Sequence, residues 1–457
     1  MIRIFNHYLS LRLIVLTTIE ALVLFQSVVL GFHLRLLVDG APLPLTEAVI
    51  FTTVMLGMMT SLGLYQSQAE PFRNTLQRLF IAYGLALLVM SVIFYLVPAV
   101  YIARGSFAIA SGLALLGVLV VRLLFFGVTD MGLPKRRVLV LGNGAEAEQI
   151  IRFLHEGARG RTIQYAGLYP VMSERQSDER ERSVNHAQLK RTVRELRVSE
   201  IVIAVRERRG GVLPLRQLLD CKLHGVRVMD LASFYEREMG ILQVDQLRAS
   251  WLIFGEGFNQ GLLRDVVKRV FDVLVSFVIL AVTLPILLAA MLAVALESGL
   301  PVFYRQERVG QGGRAFFIHK LRSMRTDAER DGKPRWAGTN DDRVTRVGRF
   351  LRKTRIDELP QLWNVLRGDM SFVGPRPERP FFVERLIRDI PYYDVRHSLK
   401  PGITGWSQVR YPYGASVEDA LAKLQYDLYY VKNHSLFLDL LILVETVQVV
   451  LLGKGAR

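Results

Sequence analysis

The sequence predicts a membrane protein that combines α-helical and α/β parts. We expect a four-helix transmembrane bundle, a Rossmann-like α/β domain, and a mainly α carboxy-terminal domain with a re-entrant membrane helix. Apolar residues make up 51% of the 457 residues and cluster in long segments. Charged residues are rare over the first 130 positions, and short apolar runs alternate with helical patterns at 135–235. Strands that alternate with helices are typical of a parallel sheet.

The predicted bundle occupies residues 1–130. Its four apolar segments lie at roughly 13–34, 45–64, 79–98 and 106–126, each near the ~20 residues that cross a bilayer. Basic residues precede the first segment, separate the second from the third, and follow the fourth. The positive-inside rule therefore places both ends of the bundle in the cytoplasm. Glu20 lies within a span, and we interpret it as a helix-packing group rather than part of a transport relay.

Residues 131–240 are predicted to form the α/β domain. A buried strand at 137–141 leads into Gly142-Asn-Gly144 and a helix, and further strands are expected at 163–169, 200–205 and 226–229. The two glycines match the opening of a dinucleotide-binding fingerprint. The match is partial, because Ala147 occupies the third position and no acidic residue follows the second strand. A nucleotide site and a tight turn that binds nothing both remain open.

A connector at 241–263 leads into the carboxy-terminal domain, residues 264–457. This domain begins with an apolar segment at 266–297 that contains Pro285. Basic residues flank both ends of the segment, so both flanks carry the cytoplasmic signal. A helix that breaks at Pro285 and returns to the same face satisfies both flanks. A plain transmembrane crossing is the alternative.

Two adjacent carboxylates, Asp357 and Glu358, precede an amphipathic helical pattern that ends at Gly368. Thr354 with Asp357 three residues later has the spacing of a helix-capping pair, and a glycine is typical of a helix C-terminus. We therefore expect both carboxylates at the start of a helix, where unpaired N–H groups favour an anion or a bound metal. The alternative is that they only complement the helix dipole.

The surroundings of this pair are basic. Residues 305–355 contain fifteen Lys or Arg against six Asp or Glu. Lys320 and Arg322 share one face of a predicted strand, although this strand could also be an ordinary solvated edge. Arg376 lies between two prolines, which would hold it in place as bidentate phosphate binding requires. Carboxylates amid fixed cations suit an anionic substrate bound through Mg²⁺, which indicates phosphate chemistry.

The overall composition limits the partners. A pI of about 10 could indicate nucleic acid, but the basic residues lie beside apolar segments, so a membrane surface and phosphorylated ligands explain them better and no nucleic acid is expected. Cys221 is the only cysteine, which excludes an internal disulfide and suits a reducing compartment for the soluble parts.

Several motifs of the chain, in their order, resemble the bacterial sugar transferases known as polyprenyl-phosphate hexose-1-phosphate transferases. These are the large monotopic phosphoglycosyl transferases, here most similar to those of exopolysaccharide and exosortase-associated loci. The motifs are the basic strand with Lys320, Asp357-Glu358-Leu-Pro-Gln-Leu, Gly374-Pro-Arg-Pro377, Lys400-Pro-Gly-Ile-Thr-Gly-Trp406, and Asp427 in Tyr-Asp-Leu-Tyr-Tyr. The resemblance covers about 264–452. Leu284 departs from it, because many relatives have Ser before the helix-breaking proline.

The resemblance implies transfer of a sugar 1-phosphate from a UDP-sugar to undecaprenyl phosphate with release of UMP, as the first membrane step of exopolysaccharide biosynthesis. It implies that Asp357 is the nucleophile that forms a covalent phosphosugar intermediate, that Glu358 supports it, and that both hold Mg²⁺. The residues implied to bind phosphate or substrate are Lys320, Arg322, Arg376 and Asp427. The implied location is the bacterial inner membrane, with a cytoplasm-facing catalytic domain in a homodimer.

Two alternatives remain at this stage. A membrane-anchored NAD-dependent sugar-nucleotide dehydratase or epimerase would also join membrane spans to a Rossmann-like domain. That chemistry normally uses a Tyr-x-x-x-Lys pair, and none of the sixteen tyrosines has Lys four residues later. A non-enzymatic scaffold that only binds lipid-linked sugar would leave the carboxylate pair without a role. No motif identifies the sugar.

Overall fold

The computed structural model describes residues 2–4, 7–36, 43–65, 72–130, 135–156, 163–171, 188–205, 213–246, 257–258, 261–326, 328, 343–411, 414 and 416–451. The chain divides into two compact units. The first contains Leu9–Glu238 with the first two residues, and the second contains Met239–Arg457 together with Arg3–Tyr8. Two short strands, β1 (Ile2–Ile4) and β2 (His7–Leu9), lie at the amino terminus.

Four helices open the first unit: α1 (Leu11–Leu36), α2 (Leu45–Ser61), α3 (Phe72–Leu96) and α4 (Arg104–Asp130). Their facing sides form one apolar core, and their other sides expose large apolar residues. Within the described residues, α1, α3 and α4 are long and apolar enough to cross a membrane, whereas α2 is apolar but has 17 residues. The bundle is therefore consistent with the predicted membrane protein.

A buried ion pair joins α1 to α4 inside this bundle. Glu20 is 0% exposed and Arg122 is 2% exposed. The Arg122 Nε atom lies 2.8 Å from Glu20 Oε1, and Tyr65 donates a hydrogen bond to the same carboxylate. A charge inside a helix bundle is removed from water, and a partner of opposite charge offsets the lost hydration. This network supports the predicted helix-packing role of Glu20.

The rest of the first unit is a parallel α/β domain. Its strands are β3 (Arg136–Gly142), β4 (Ile163–Tyr169), β5 (Glu200–Ala204) and β6 (Arg227–Asp230), in the order β4-β3-β5-β6. The helices that accompany them are α5 (Ala145–Glu156), α6 (188–195), α7 (Leu215–Leu223) and α8 (Leu231–Met239). The predicted strands and their parallel arrangement are confirmed.

The glycine turn after β3 has a packing explanation. Gly142 has a φ of 153°, and a Cβ atom there would lie 2.1 Å from the carbonyl oxygen of Ala204 on β5. The side chain of Asn143 donates to the carbonyl of Val171 and accepts from its backbone N–H at 3.3 Å. The first turn of α5 carries two glutamates, Glu146 and Glu148, which would repel a phosphate. Nucleotide binding by this domain stays an untested hypothesis.

The second unit begins with the long helix α9 (Leu262–Ser298) and the antiparallel pair β7 (Phe303–Val309) and β8 (Ala315–Leu321). Shorter elements follow: α10 (Arg346–Thr354), α11 (Gln361–Arg367), β9 (Ser371–Val373), α12 (Pro380–Asp389), β10 (Gly402–Thr404) and α13 (Trp406–Arg410). It ends with α14 (Val417–Asn433) and α15 (Leu436–Leu451). β9 and β10 pair in parallel. Buried residues of β9, α12, α14 and α15 belong to one apolar core.

Helix α9 has 37 residues and is long and apolar enough to cross a membrane. It runs without interruption through Pro285, although a proline inside a helix removes one backbone hydrogen bond. The hydroxyl of Thr283 donates to the carbonyl of Ile279 at 2.7 Å, one turn earlier. Thr283 therefore supplies a hydroxyl contact beside Pro285 where Leu284 cannot. The re-entrant course of this segment remains a prediction.

Candidate active site

The carboxylate pair lies in a tight turn between two short helices. Helix α10 ends at Thr354, and Arg355 adopts a left-handed conformation with φ 61° and ψ 13°. A single 3-10 turn, Ile356–Glu358, then carries both carboxylates, and α11 begins after Pro360. The left-handed residue reverses the chain direction and makes the tight turn that holds the pair.

The predicted capping pair of Thr354 and Asp357 is therefore wrong. Thr354 is the last residue of α10, and its hydroxyl donates to the carbonyl of Phe350 at 2.8 Å instead of capping a new helix. The pattern was misleading because Arg355, not a glycine, occupies the left-handed position that ends α10. Gly368 does end α11, with a φ of 100°, so that prediction is confirmed.

Glu358 is held by three cations. Its Oε1 atom lies 2.8 Å from Lys320 Nζ, 2.9 Å from Arg376 Nη2 and 4.0 Å from Arg355 Nη1. Burial alone would raise the pKa of this carboxyl, but the coulombic attraction of Lys320 and Arg376 holds its pKa well below the usual range. Glu358 is therefore a permanently ionised anchor that brings strand β8 and the Arg376 turn together.

Asp357 has a different environment although it is the adjacent residue. It is 7% exposed, and its Oδ1 atom is buried without a hydrogen-bond partner among the described residues. Burial, together with the charge of Glu358, raises the pKa of Asp357 to about 6. A buried, unpaired carboxylate oxygen is costly to maintain, and this oxygen distinguishes Asp357 from its salt-bridged neighbour Glu358.

The Arg376 turn is held by Gln408 and Arg396, which the sequence did not single out, and by Asp427, which the family resemblance implied as a phosphate- or substrate-binding residue. Arg376 Nη1 donates to Gln408 Oε1 at 3.0 Å. Arg396 is buried, and its Nη2 atom donates to the backbone carbonyl of Arg376 at 2.9 Å and to Asp427 Oδ2 at 2.7 Å. Asp427 is thus a positioning residue for the turn, as part of a buried ion pair. No spacing signal could link Arg396 to Asp427.

Lys320 is held opposite Glu358 by a second missed residue. Asn364 is 0% exposed and lies on α11. Its Nδ2 atom donates to the carbonyl of Phe317 at 2.7 Å, and its Oδ1 atom accepts from the backbone N–H of His319 at 3.1 Å. These two bonds fix α11 against β8, so they set the distance across which Lys320 meets Glu358.

Arg322 has a different role from Lys320 in this structure. Its Nη2 atom donates to the carbonyls of Ser298 and Gly299 at 2.7 and 2.6 Å. These carbonyls end α9, where a cation satisfies unpaired groups and complements the helix dipole. Arg322 therefore caps the membrane helix, and no described hydrogen bond or ion pair joins it to the carboxylate pair. Pro285, at which the sequence predicted a break in the membrane helix, lies inside α9. It is not part of the carboxylate site.

The carboxylate pair can supply part, but not all, of the ligands of the predicted Mg²⁺. Within the described parts of the chain, no cluster of three or more His, Cys, Asp or Glu side chains forms a complete metal cage. Mg²⁺ usually binds through one or two carboxylates together with substrate phosphates and water. The orphaned Oδ1 atom of Asp357 beside Glu358 satisfies that smaller requirement. These two carboxylates are the residues that would hold the ion.

Comparison with known proteins finds relatives of the part of the chain that contains the carboxylate site. The family model described as "Bacterial sugar transferase" matches residues 263–453. The "UDP-N-acetylgalactosamine-undecaprenyl-phosphate N-acetylgalactosaminephosphotransferase" of Aeromonas hydrophila is 42% identical over 242 residues, which are 53% of this chain and 56% of that protein. The "UDP-glucose:undecaprenyl-phosphate glucose-1-phosphate transferase" of Caulobacter vibrioides is 46% identical over 195 residues, 42% of this chain and 72% of that protein.

A further relative, named "UDP-glucose:undecaprenyl-phosphate glucose-1-phosphate transferase", comes from Xanthomonas campestris pv. campestris. It is 43% identical over 193 residues, which are 42% of this chain and 40% of that protein. The chain therefore matches about half of the length of the Aeromonas protein and less of the Xanthomonas protein. The matches establish that the chain belongs to the bacterial sugar transferase family, as its motifs predicted.

Proposed function

We propose that the protein is a phosphoglycosyl transferase that moves a sugar 1-phosphate from a UDP-sugar to undecaprenyl phosphate and releases UMP. This would be the first membrane step of exopolysaccharide synthesis, on the cytoplasmic face of the bacterial inner membrane. The named relatives act on undecaprenyl phosphate, and the matched region contains the whole carboxylate site. Because the relatives differ in their sugar, the donor sugar stays open.

The observation that carries the proposal is the contrast between the two carboxylates. Glu358 is already neutralised by Lys320 and Arg376, whereas Asp357 keeps an unpaired oxygen. A nucleophile needs an available lone pair, and a supporting group does not. The pair therefore divides its roles by environment, with Asp357 as the nucleophile and Glu358 as the organiser of the cations.

The reaction then takes two steps at one phosphorus atom. The Asp357 carboxylate attacks the sugar-bearing phosphorus of the donor, a phosphorus–oxygen bond breaks, and UMP leaves with the bonding electron pair. An oxygen of undecaprenyl phosphate attacks the same phosphorus, which forms the lipid diphosphate sugar and returns Asp357 as a carboxylate. Arg376 and Lys320 lie beside Glu358 and provide fixed positive charge near the phosphoryl oxygens.

Mg²⁺ at the pair would add a cation that lowers the repulsion between a carboxylate and a phosphodiester anion. The protein's own contribution is positional. Asn364 and Glu358 hold Lys320 in place, and Arg396 with Asp427 holds the backbone of Arg376. These buried bonds keep the cations preorganised, so that they need no rearrangement during the reaction.

The test measures UMP release by the full-length protein in neutral detergent with Mg²⁺, undecaprenyl phosphate and a panel of UDP-sugars. We expect sustained release with one donor, and only when the lipid is present. Asp357→Asn should lower this rate by about 10³-fold or more, as expected when a nucleophile is lost. The surface variant Asp389→Asn is the matched control, because Asp389 pairs only with its helix neighbour Arg385 in the described structure.

Near-normal UMP release by Asp357→Asn would overturn the assignment of the nucleophile. Lipid-independent, NAD-dependent conversion of a UDP-sugar would instead support the dehydratase alternative. Nothing in the described site favours that alternative. A homodimer, suggested by the family resemblance, remains a hypothesis that the mass of the detergent-solubilised particle would test.

A further inference from the structure

The second unit contains a cavity that the proposed reaction does not use. Its volume is about 730 Å³, and it lies between the first turns of α9, strand β9 and the junction of α14 with α15. Arg269 lines it and donates hydrogen bonds to the carbonyls of Val365 and Leu366, at the end of α11. The carboxylate pair lies before the opposite end of that helix, whose seven residues span about 10 Å. The cavity and the carboxylate pair therefore lie towards opposite ends of α11.

One side of the cavity is formed by exposed apolar side chains. Leu263 and Val267 line the cavity, and they are 79% and 41% exposed. Leu436, on the facing helix, is 38% exposed. Large apolar side chains at the start of a helix suited to a membrane are expected to contact hydrocarbon. A ligand in this cavity can therefore place an apolar chain along α9.

The inner wall of the cavity is polar but largely neutralised. Lys268 Nζ lies 2.8 Å from Asp272 Oδ1 and 3.0 Å from Asp439 Oδ2. The Tyr430 hydroxyl donates to Asp439 at 2.6 Å, and the backbone N–H of Phe372 donates to Asp272 at 3.2 Å. Both of these buried carboxylates are thus occupied by donors from the protein, which reduces their repulsion of an incoming anion, and the third lining carboxylate, Asp265, is exposed to solvent.

A cation without such a partner completes the site. Lys400 lines the cavity and is half-buried, and no hydrogen bond or ion pair of its ammonium group occurs in the described parts of the chain. It lies close to Arg269: a Cβ atom at Gly368 would be 3.9 Å from Lys400 Nζ and 3.5 Å from Arg269 Nη2. A half-buried ammonium that lacks a counter-ion is a favourable partner for a phosphate group.

We propose that this cavity binds a phosphate-bearing membrane lipid. Its phosphate would contact Lys400 beside Arg269, and its hydrocarbon chain would lie along Leu263 and Val267. The occupant is amphiphilic, because the cavity joins a cation to an exposed apolar wall. Two lipids share this chemistry, an anionic phospholipid of the bilayer and a polyprenyl phosphate. The proposal does not depend on the transfer reaction, because it concerns lipid binding away from Asp357.

The experiment measures lipid binding by native mass spectrometry on the full-length protein, delipidated in neutral detergent. Phosphatidylglycerol and undecaprenyl phosphate are titrated separately, with phosphatidylcholine as the zwitterionic reference. We expect Lys400→Gln to weaken binding of the preferred lipid by about tenfold, since it removes a charge-assisted contact. Lys400→Arg should retain it. Arg388→Gln, on the exposed face of α12, is the matched control.

A second variant tests whether weaker lipid binding by Lys400→Gln reflects the lost charge or only impaired folding. Ser435 lines the cavity and its hydroxyl accepts from the backbone N–H of Leu438, as a helix cap does. Ser435→Asp keeps a good capping residue but adds a negative charge to the cavity wall. It should weaken binding of the phosphate-bearing lipid by about tenfold as well, by adding like-charge repulsion, without lowering the melting temperature.

The two lipid arms identify the source of the phosphate group. Preference for phosphatidylglycerol assigns the cavity to a bilayer lipid, and preference for undecaprenyl phosphate assigns it to the acceptor lipid at a second position. Either preference, lost in both Lys400→Gln and Ser435→Asp, supports the proposal. Equal binding of phosphatidylcholine, or unchanged binding in both variants, would overturn it. Loss of UMP release would not affect this readout, so the two proposals fail separately.

Discussion

Replacement of Asp357 by Asn should stabilise the metal-free protein while it abolishes transfer. The folded structure raises the pKa of Asp357 from 3.8 to about 6. A pKa difference of one between the folded and unfolded states corresponds to about 1.4 kcal/mol, so the buried charge costs up to about 3 kcal/mol above pH 6. Because the Asn amide that replaces the carboxylate is itself a polar group that must stay buried, we expect a net gain of about 1–3 kcal/mol, which is about 3–8 °C for a domain of this size.

The size of the stabilisation by Asp357→Asn depends on pH, whereas its sign does not. A carboxyl with a raised folded-state pKa destabilises the protein where both states are ionised, and this cost disappears as the pH falls through 6 towards 4. The stabilisation by Asp357→Asn should therefore be complete at pH 8, about half as large at pH 5, and absent below pH 4. Melting is followed by differential scanning fluorimetry in neutral detergent with EDTA, so that no bound metal offsets the charge.

Glu358→Gln is the matched comparison, because it makes the same chemical change at the adjacent residue. Glu358 binds Lys320 and Arg376, so its loss leaves two half-buried cations without a counter-charge and should cost about 2–4 kcal/mol. The two neighbouring amides should thus change stability in opposite directions. Destabilisation by Asp357→Asn at pH 8, or a pH-independent effect, would refute the division of roles between the two carboxylates.

Three further predictions follow from the same contacts. Asp427→Asn leaves Arg396 buried without its counter-charge and should lower stability by about 3–5 kcal/mol, measured by thermal melting; an unchanged melting temperature would contradict the bracing role. Arg322→Gln should lower the melting temperature because it uncaps α9, yet the KM for donor and lipid should stay within about twofold of the parent value; a large rise in KM would restore Arg322 as a phosphate ligand. EDTA should abolish UMP release and added Mg²⁺ should restore it, whereas activity that survives chelation would exclude a required divalent ion.

Local patterns predicted a large part of this structure. The apolar runs that became β3, β4 and β5 were visible because a buried strand needs a continuous apolar segment bounded by turn residues. The end of α11 was visible because Gly368 occupies a left-handed position. The family motifs located Lys320, Glu358 and Arg376 before any geometry was known, and the structure brings these three side chains together.

Pairs that are distant in sequence were not predictable in the same way. The partner of Glu20 is Arg122, and the partner of Asp427 is Arg396. Such ion pairs form only after the helices and strands have packed, so no local periodicity or residue spacing predicts them. The position of Arg322 was not predictable for a related reason, because strand alternation placed it beside Lys320 while the structure directs its side chain to the end of α9.

The most direct test of the central claim is to trap the covalent intermediate on Asp357. The full-length protein is incubated with the active UDP-sugar and Mg²⁺ in the absence of acceptor lipid, quenched in acid, digested and analysed by mass spectrometry. The proposed mechanism predicts a peptide containing Asp357 that carries the mass of one sugar phosphate. It also predicts a single stoichiometric release of UMP, and loss of the adduct when undecaprenyl phosphate is added. Repeated UMP formation with lipid, without any adduct in the absence of lipid and with Asp357→Asn still active, would contradict the mechanism.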